Sequence, residues 1–218
     1  MKKAKITYRG GKILSLFVLL LFVLPGKAQE KDFGFWAGFE LQKEINKRFD
    51  FEVELGHRLA ENLTQRDESF LGAGLAYSKK QFATGISYRF TNENSVKRSY
   101  ELAHRFVWQA RYKPEINRFA IDFRIRVQAQ YSSINSSENG HLPVSFLRNR
   151  IKLSYNIKGI PLEPSISYEL FSRINNYKTK GLERQRVKLG FNYKIFKNNE
   201  IGVSLIWHET FNVNKPVK

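Results

Sequence analysis

After residue 28, apolar and polar side chains alternate one by one in run after run, and no other feature restricts the fold as much. A helix needs an apolar period near 3.6, which no window there sustains. A period of two sends successive side chains to opposite faces of a strand. The clearest run sets Phe119, Ile121, Phe123, Ile125, Val127 and Ala129 against Asp122, Arg124, Arg126, Gln128 and Gln130. Leu102, His104, Phe106 and Trp108 alternate likewise with Glu101, Ala103, Arg105 and Gln109, and Val187, Leu189, Phe191 and Tyr193 with Arg186, Lys188, Gly190 and Asn192. Isoleucine and valine at 201 and 203, then Leu205 and Trp207, close the series.

There are about ten such runs, each roughly 9–14 residues, whereas strands of soluble domains are usually ~5–6 residues and membrane-spanning strands need ~9–11. The pattern therefore predicts an all-β fold, an antiparallel up-and-down transmembrane β-barrel of about 10 (10–12) strands. The connections agree. Short polar links at 46–47, 78–80, 114–117, 158–161 and 197–199 alternate in order with longer ones at 61–68, 92–98, 132–143 and 175–181. Turns on one side and longer loops on the other are the arrangement of such barrels. The rival architecture is a soluble β-sandwich, whose apolar faces pack against each other instead of against lipid.

The first 28 residues differ from the rest. Lys2, Lys3, Lys5, Arg9 and Lys12 precede an apolar run at 13–24, followed by Pro25, Gly26 and Ala28. This is the layout of a cleaved secretory signal, and the run is too short for a membrane-spanning helix. The expectation is a signal peptide at 1–28 and a single barrel domain at 29–218, exported to the cell outer membrane. Six of the bases lie in the signal, so the formal charge of +17 falls to +11 for the mature chain. An exported chain does not normally meet cytoplasmic nucleic acid, and no Gly-rich phosphate loop is present; nucleic acid is not an expected partner. Zero cysteines exclude a disulfide scaffold, an iron–sulfur cluster, a cysteine zinc site and a lipoprotein anchor.

On the barrel reading the polar set faces the lumen. It comprises Glu40, Asp50, Glu52, Glu54, Arg58, Arg89, Glu101, Arg105, Arg111, Asp122, Arg124, Arg126, Arg148, Arg150, Lys152, Glu163, Glu169, Arg184, Arg186 and Lys188. Acids and bases on adjacent strands can pair, with Glu101 and Arg105 set to meet Asp122, Arg124 and Arg126. Charges in a narrow interior must be paired or hydrated. The expected result is a side-chain-filled lumen and a structural or surface-interaction role, with loop 132–143 as a contact surface. The alternative is a narrow anion-preferring pore built by Arg124, Arg126, Arg148, Arg150, Arg186 and Lys188.

The order of several of these residues resembles the domain-of-unknown-function family 2490, outer-membrane barrels of Bacteroidota-type bacteria. The resemblance rests on Trp36, on Glu54 with Arg58, on Glu101 with Arg105, on Arg124-x-Arg126 and Arg148-x-Arg150, on the run Tyr168, Glu169, Leu170, Phe171, and on Arg186 with Gly190 and Tyr193. It implies outer-membrane lipid and the barrel-assembly machinery as partners, and no established activity. Such barrels usually end in an aromatic residue, but 212–218 is polar and basic. Either a closing strand is missing, or 201–211 closes the barrel and a short tail follows.

Chemistry at the outer membrane would need a Ser/His pair or paired carboxylates. The histidines are His57, His104, His141 and His208; alternation puts His57, His104 and His208 near the outward register. Ser69, Ser87, Ser99, Ser132 and Ser172 are available, but the sequence sets none beside a histidine. Glu52 and Glu54 share a face among lumen arginines, where acids are usually structural. The expectation is no enzyme, with a lipid hydrolase as the low-ranking alternative, and no cofactor. Scattered histidines without close pairing argue against a metal site. Trp36, Trp108 and Trp207 are expected in the interfacial girdle.

Overall fold

The computed structural model describes residues 33–94, 100–131, 143–175, 181–196 and 199–211. The expected signal peptide, His141, nearly all of loop 132–143 and the tail 212–218 lie outside the described residues. The strands are β1 (Phe35–Glu44), β2 (Phe49–Ala60), β3 (Gln65–Lys79), β4 (Phe82–Asn94), β5 (Tyr100–Tyr112), β6 (Glu115–Ile116), β7 (Phe119–Tyr131), β8 (Val144–Tyr155), β9 (Leu162–Arg173), β10 (Gly181–Phe196) and β11 (Asn199–Thr210).

The ten long strands form one antiparallel meander in sequence order, and two-residue β6 pairs with the start of β7 inside its turn. Among the described residues each long strand bonds only the long strands next to it in sequence, as expected where short turns join strands of matched length. The sheet curls strongly: side chains two strands apart bond one another, and those of β1 and β11 meet. Among the described residues, β1 and β11 share no backbone ladder.

One connection is shorter than its composition predicts. The polar stretch 61–68 is not a long loop, because Gln65 and Arg66 already pair with Ala60 and Leu59. The turn is reduced to four residues, with Glu61, Asn62 and Leu63 in left-handed backbone at φ 48°, 56° and 71°. The β2–β3 ladder then shifts register: Leu59 faces Arg66, but Arg58 faces Glu68. Asp67 is the extra residue of a β-bulge, a device that re-aims the side chains after it. Here it turns Glu68 to the concave face, beside Arg58, and Ser69 to the convex face, beside His57.

Burial is inverted relative to a water-soluble domain. Glu68, Asp122 and Glu169 are 4%, 3% and 4% exposed, while Ile86, Leu205 and Val203 are 63%, 69% and 70% exposed. Among the described residues the buried apolar side chains are Ala103 and Phe171. The alternation is thus obeyed with its usual sense reversed: charges fill the concave face and Phe, Leu and Ile cover the convex one. Glycine at 56 makes room on the inner side, since a Cβ there would overlap the Phe70 ring. That ring in turn carries the Arg89 guanidinium, 3.7 Å from its centroid.

Candidate functional site

Two charge networks occupy the concave face. In the first, Glu68 of β3 accepts from Arg58 of β2 and from Arg105 of β5 at 3.1 Å. Glu54 takes both Nε and Nη2 of Arg89, at 2.8 and 2.7 Å, in the bidentate geometry that suits a guanidinium. Arg105 also donates twice to Gln130 Oε1, at 2.9 and 2.8 Å, and Gln130 Nε2 passes the chain to Glu93 at 2.7 Å.

The second network has two anionic centres. Glu169 accepts from Arg124 at 2.6 Å and from Arg148 at 3.1 Å, with Arg186 at 3.7 Å. Asp122 holds Arg111 at 2.6 Å and Arg150 at 2.9 Å. Phe171 lies under Arg148, Arg186 and Arg184, whose guanidinium carbons are 4.4, 5.0 and 5.4 Å from the ring centroid. Arginine stacks on aromatic faces more readily than lysine, so one buried ring shares this dense positive charge with one carboxylate.

The structure therefore gathers most of the sequence-predicted charges on one face, but with other partners than adjacency suggested. Arg105 does not meet Asp122, Arg124 or Arg126: the antiparallel ladder puts it opposite Gln130, and puts Gln109 opposite Arg126 and Arg111 opposite Arg124. Glu101 is exposed, opposite Glu93. Lys152 reaches Glu163 at 4.0 Å. Arg126 donates to Gln109 at 2.7 Å; among the described residues it has no carboxylate within 4 Å, nor does Lys188. Glu52 and Glu40 likewise have no described base within that distance, and they line a cavity of about 140 Å³ with Glu54, Arg89, Arg126 and Arg148. Among the described residues no group of three or more His, Asp or Glu side chains is arranged to hold a metal ion.

Two aromatic assignments change. Trp36 is not a girdle residue: it points into the concave face, with Arg58 at 4.3 Å and Arg186 at 5.1 Å from its ring centroid. His208 is opposite Arg186 on β10 and therefore also turns inward, not outward. Alternation carries the reason, since its neighbour Trp207 is on the convex face opposite Val187. Trp108 and Trp207 do face outward, 46% and 49% exposed.

The convex face holds a contact that the sequence reading missed. His57 of β2 and Ser69 of β3 are opposite each other, with Nδ1 and Oγ 2.8 Å apart. Counting back from the turn without the bulge sets His57 against Glu68, so only the shift at Asp67 reveals the pair. Asn92 of β4 is next in the row, opposite Ser69, and its Oδ1 accepts from Arg66 at 3.5 Å. A second outward histidine, His104, lies 2.6 Å from the Tyr88 hydroxyl through Nδ1.

No curated protein matches this sequence. A solved structure described as "Unveiling the Mechanism Behind the in-meso Crystallization of Membrane Proteins" is 13% identical, with a TM-score of 0.41, over 84% of this chain and 80% of its own. The match that identifies the chain spans residues 33–216, from just before β1 to beyond β11: it belongs to the family described as proteins of unknown function, DUF2490.

Proposed function

We infer that this chain is an outer-membrane β-barrel whose lumen is closed by its own side chains and which acts as a non-conducting scaffold, presenting its loops and outer wall. The observation that carries this reading is the inversion of burial. A sheet with Ile86, Val203 and Leu205 open on one face and Glu68, Asp122 and Glu169 buried on the other is matched to lipid outside. In water the same convex surface would be a continuous apolar patch far larger than soluble monomers carry. Strand length supports the same reading: β2, β8, β9 and β11 have 12 residues each, enough to cross a hydrocarbon layer with tilt. The partners that follow are outer-membrane lipid and, during folding, the barrel-assembly machinery.

The test is fractionation of the full chain. The mature protein is expected in the outer-membrane fraction, requiring detergent for extraction and migrating faster on gels when unheated. Recovery as a detergent-free soluble monomer would overturn the reading and favour a sandwich. The anion-pore alternative draws on Arg126 and Lys188, which have no described carboxylate within 4 Å. Conductance separates the two readings.

A further inference from the structure

We propose that His57 and Ser69 form a nucleophile–base pair on the outer wall that cleaves acyl esters of membrane lipids, an inference that rests on the lipid-embedded reading above. Three observations converge on this row. The first is the contact itself. With the ring proton on Nε2, Nδ1 is the acceptor 2.8 Å from Oγ, within reach for proton abstraction from the hydroxyl.

The second is height on the wall. Along the outward face of β3 the residues run Tyr77, Leu75, Ala73, Leu71, then Ser69 and Arg66; along β4 they run Phe82, Thr84, Ile86, Tyr88, Phe90, then Asn92 and Asn94. On β3 and β4 the row of Ser69 and Asn92 is therefore where apolar side chains give way to polar ones, while Leu59 and Phe35 on β2 and β1 and Leu102 on β5 continue the apolar surface beside it. His57 is three residues from the end of β2, roughly 10 Å at ~3.3 Å per residue. On the barrel reading, a row that close to the strand end falls toward the boundary between hydrocarbon and headgroup, where a lipid's ester carbonyls sit.

The third is the surroundings. A shallow, open depression of about 580 Å³ lies on the outer wall, lined by Phe39, Leu55, Leu71 and Phe90 beside His57, Ser69 and Asn92. It offers an acyl chain an apolar bed that ends at the hydroxyl. Beyond it, the Arg66 guanidinium lies within hydrogen-bonding distance of Asn92 and stacks on Tyr100 at 3.8 Å. A guanidinium there suits a lipid phosphate, and the Asn92 amide is the donor for a carbonyl oxygen that gains negative charge.

The chemistry balances without another reagent than water. Ser69 Oγ bonds the ester carbonyl carbon while its proton passes to His57 Nδ1 and the carbonyl electron pair moves onto oxygen. Collapse breaks the ester C–O bond, and the leaving alcohol takes the proton from His57. Water, deprotonated by the same nitrogen, then attacks the acyl-serine, releasing the fatty acid and restoring the hydroxyl. Neither step needs a pore, so a closed lumen and an active wall are compatible.

The experiment uses the mature protein refolded in detergent and checked for heat-modifiable migration. It is mixed with phosphatidylethanolamine micelles in one arm and lipid A micelles in the other, and released fatty acid is measured; a long-chain alkyl fluorophosphonate is added separately. The expected result is release in at least one arm, falling about 10²–10⁴-fold in Ser69→Ala and in His57→Gln, and retained in His104→Gln. The phosphonate should label the peptide containing Ser69 and lose that label in Ser69→Ala. Heat-modifiable protein that releases nothing above the lipid-only rate and takes no label at Ser69 overturns the proposal and leaves the barrel reading intact. Release that persists in Ser69→Ala also overturns it. Protein that is soluble and never heat-modifiable removes the barrel reading, and this proposal with it.

Discussion

Trp36 of β1 and His208 of β11 lie with ring centroids 5.5 Å apart, although their strands share no ladder among the described residues. The first and last strands of the meander are thus brought together on the inside by side chains. Ten long strands in antiparallel order leave β1 and β11 running in opposite directions, the relation that closure requires. An open edge in hydrocarbon leaves backbone groups unsatisfied at several kcal/mol each, by general transfer costs. Closure of β1 on β11 is therefore expected in the membrane. Hydrogen exchange on detergent-refolded protein checks it: the β1 amides that do not bond β2 should be protected to the same extent as those that do. Rapid exchange at alternate β1 residues would show that the seam stays open.

Glu169 is the acceptor that three arginines share, so its removal strands Arg124, Arg148 and Arg186 together. Breaking a buried ion pair by deleting one partner costs about 3–5 kcal/mol, because the remaining charge is left uncompensated. Glu169→Ala should lower the unfolding free energy of refolded protein, taken from urea titration as midpoint times slope, by an amount in that range. Glu169→Gln, which keeps one carbonyl acceptor, should cost less. Equal midpoints for wild type and Glu169→Ala would mean that water replaces the carboxylate and that the interior is wet.

How far the sequence reaches is clearest in the β2–β3 hairpin. Alternation alone identifies Val53 and Leu55 as one face and Glu52, Glu54 and Arg58 as the other, because successive side chains of a strand go to opposite faces. It also locates the ten long strands within a few residues. What alternation does not contain is register between strands. Arg105 meets Glu68 and Gln130, not Asp122, because partners depend on turn length and on the bulge. The pair His57 and Ser69 is twelve positions apart and becomes visible only once Asp67 is counted as an extra residue. Trp36 departs from expectation for a different reason: its place in the alternating set, opposite Arg58, decides its inward direction over tryptophan's general preference for interfaces.

The convex face makes a prediction that depends on lipid. Phe123 is 45% exposed, and its ladder partners Tyr112 and Ile151 are apolar and exposed as well. An arginine near the bilayer midplane costs about 2–4 kcal/mol in a barrel strand. Phe123→Arg should impose such a cost on folding into vesicles, while Ala120→Arg, on the inward face opposite Ser154 and near a turn, should cost much less. Denaturant titrations of folding into vesicles, read as midpoint times slope, give both values. Equal tolerance of arginine at the two positions would remove the lipid-facing assignment of β7.

Conductance depends on whether the paired charges leave a continuous path. Arg124, Arg148 and Arg186 converge on Glu169, and Arg111 and Arg150 on Asp122, so five guanidinium groups are drawn to two carboxylates buried on the same face. Five to two leaves positive charge in excess, which by itself would favour anions in an open channel. Width opposes this. Long arginine side chains fill the interior of a small barrel, and here the enclosed space near Arg126 and Arg148 is only about 140 Å³. A path needs connected volume before its sign of charge matters, so planar-bilayer recordings of the wild type should show no steady conductance. Truncating Arg148 and Arg150 together frees volume next to that cavity and unlocks both anionic centres. Arg148→Ala/Arg150→Ala should then admit small, irregular steps. Well-resolved anion-selective steps in the wild type that vanish in the double variant would instead establish an arginine-lined pore.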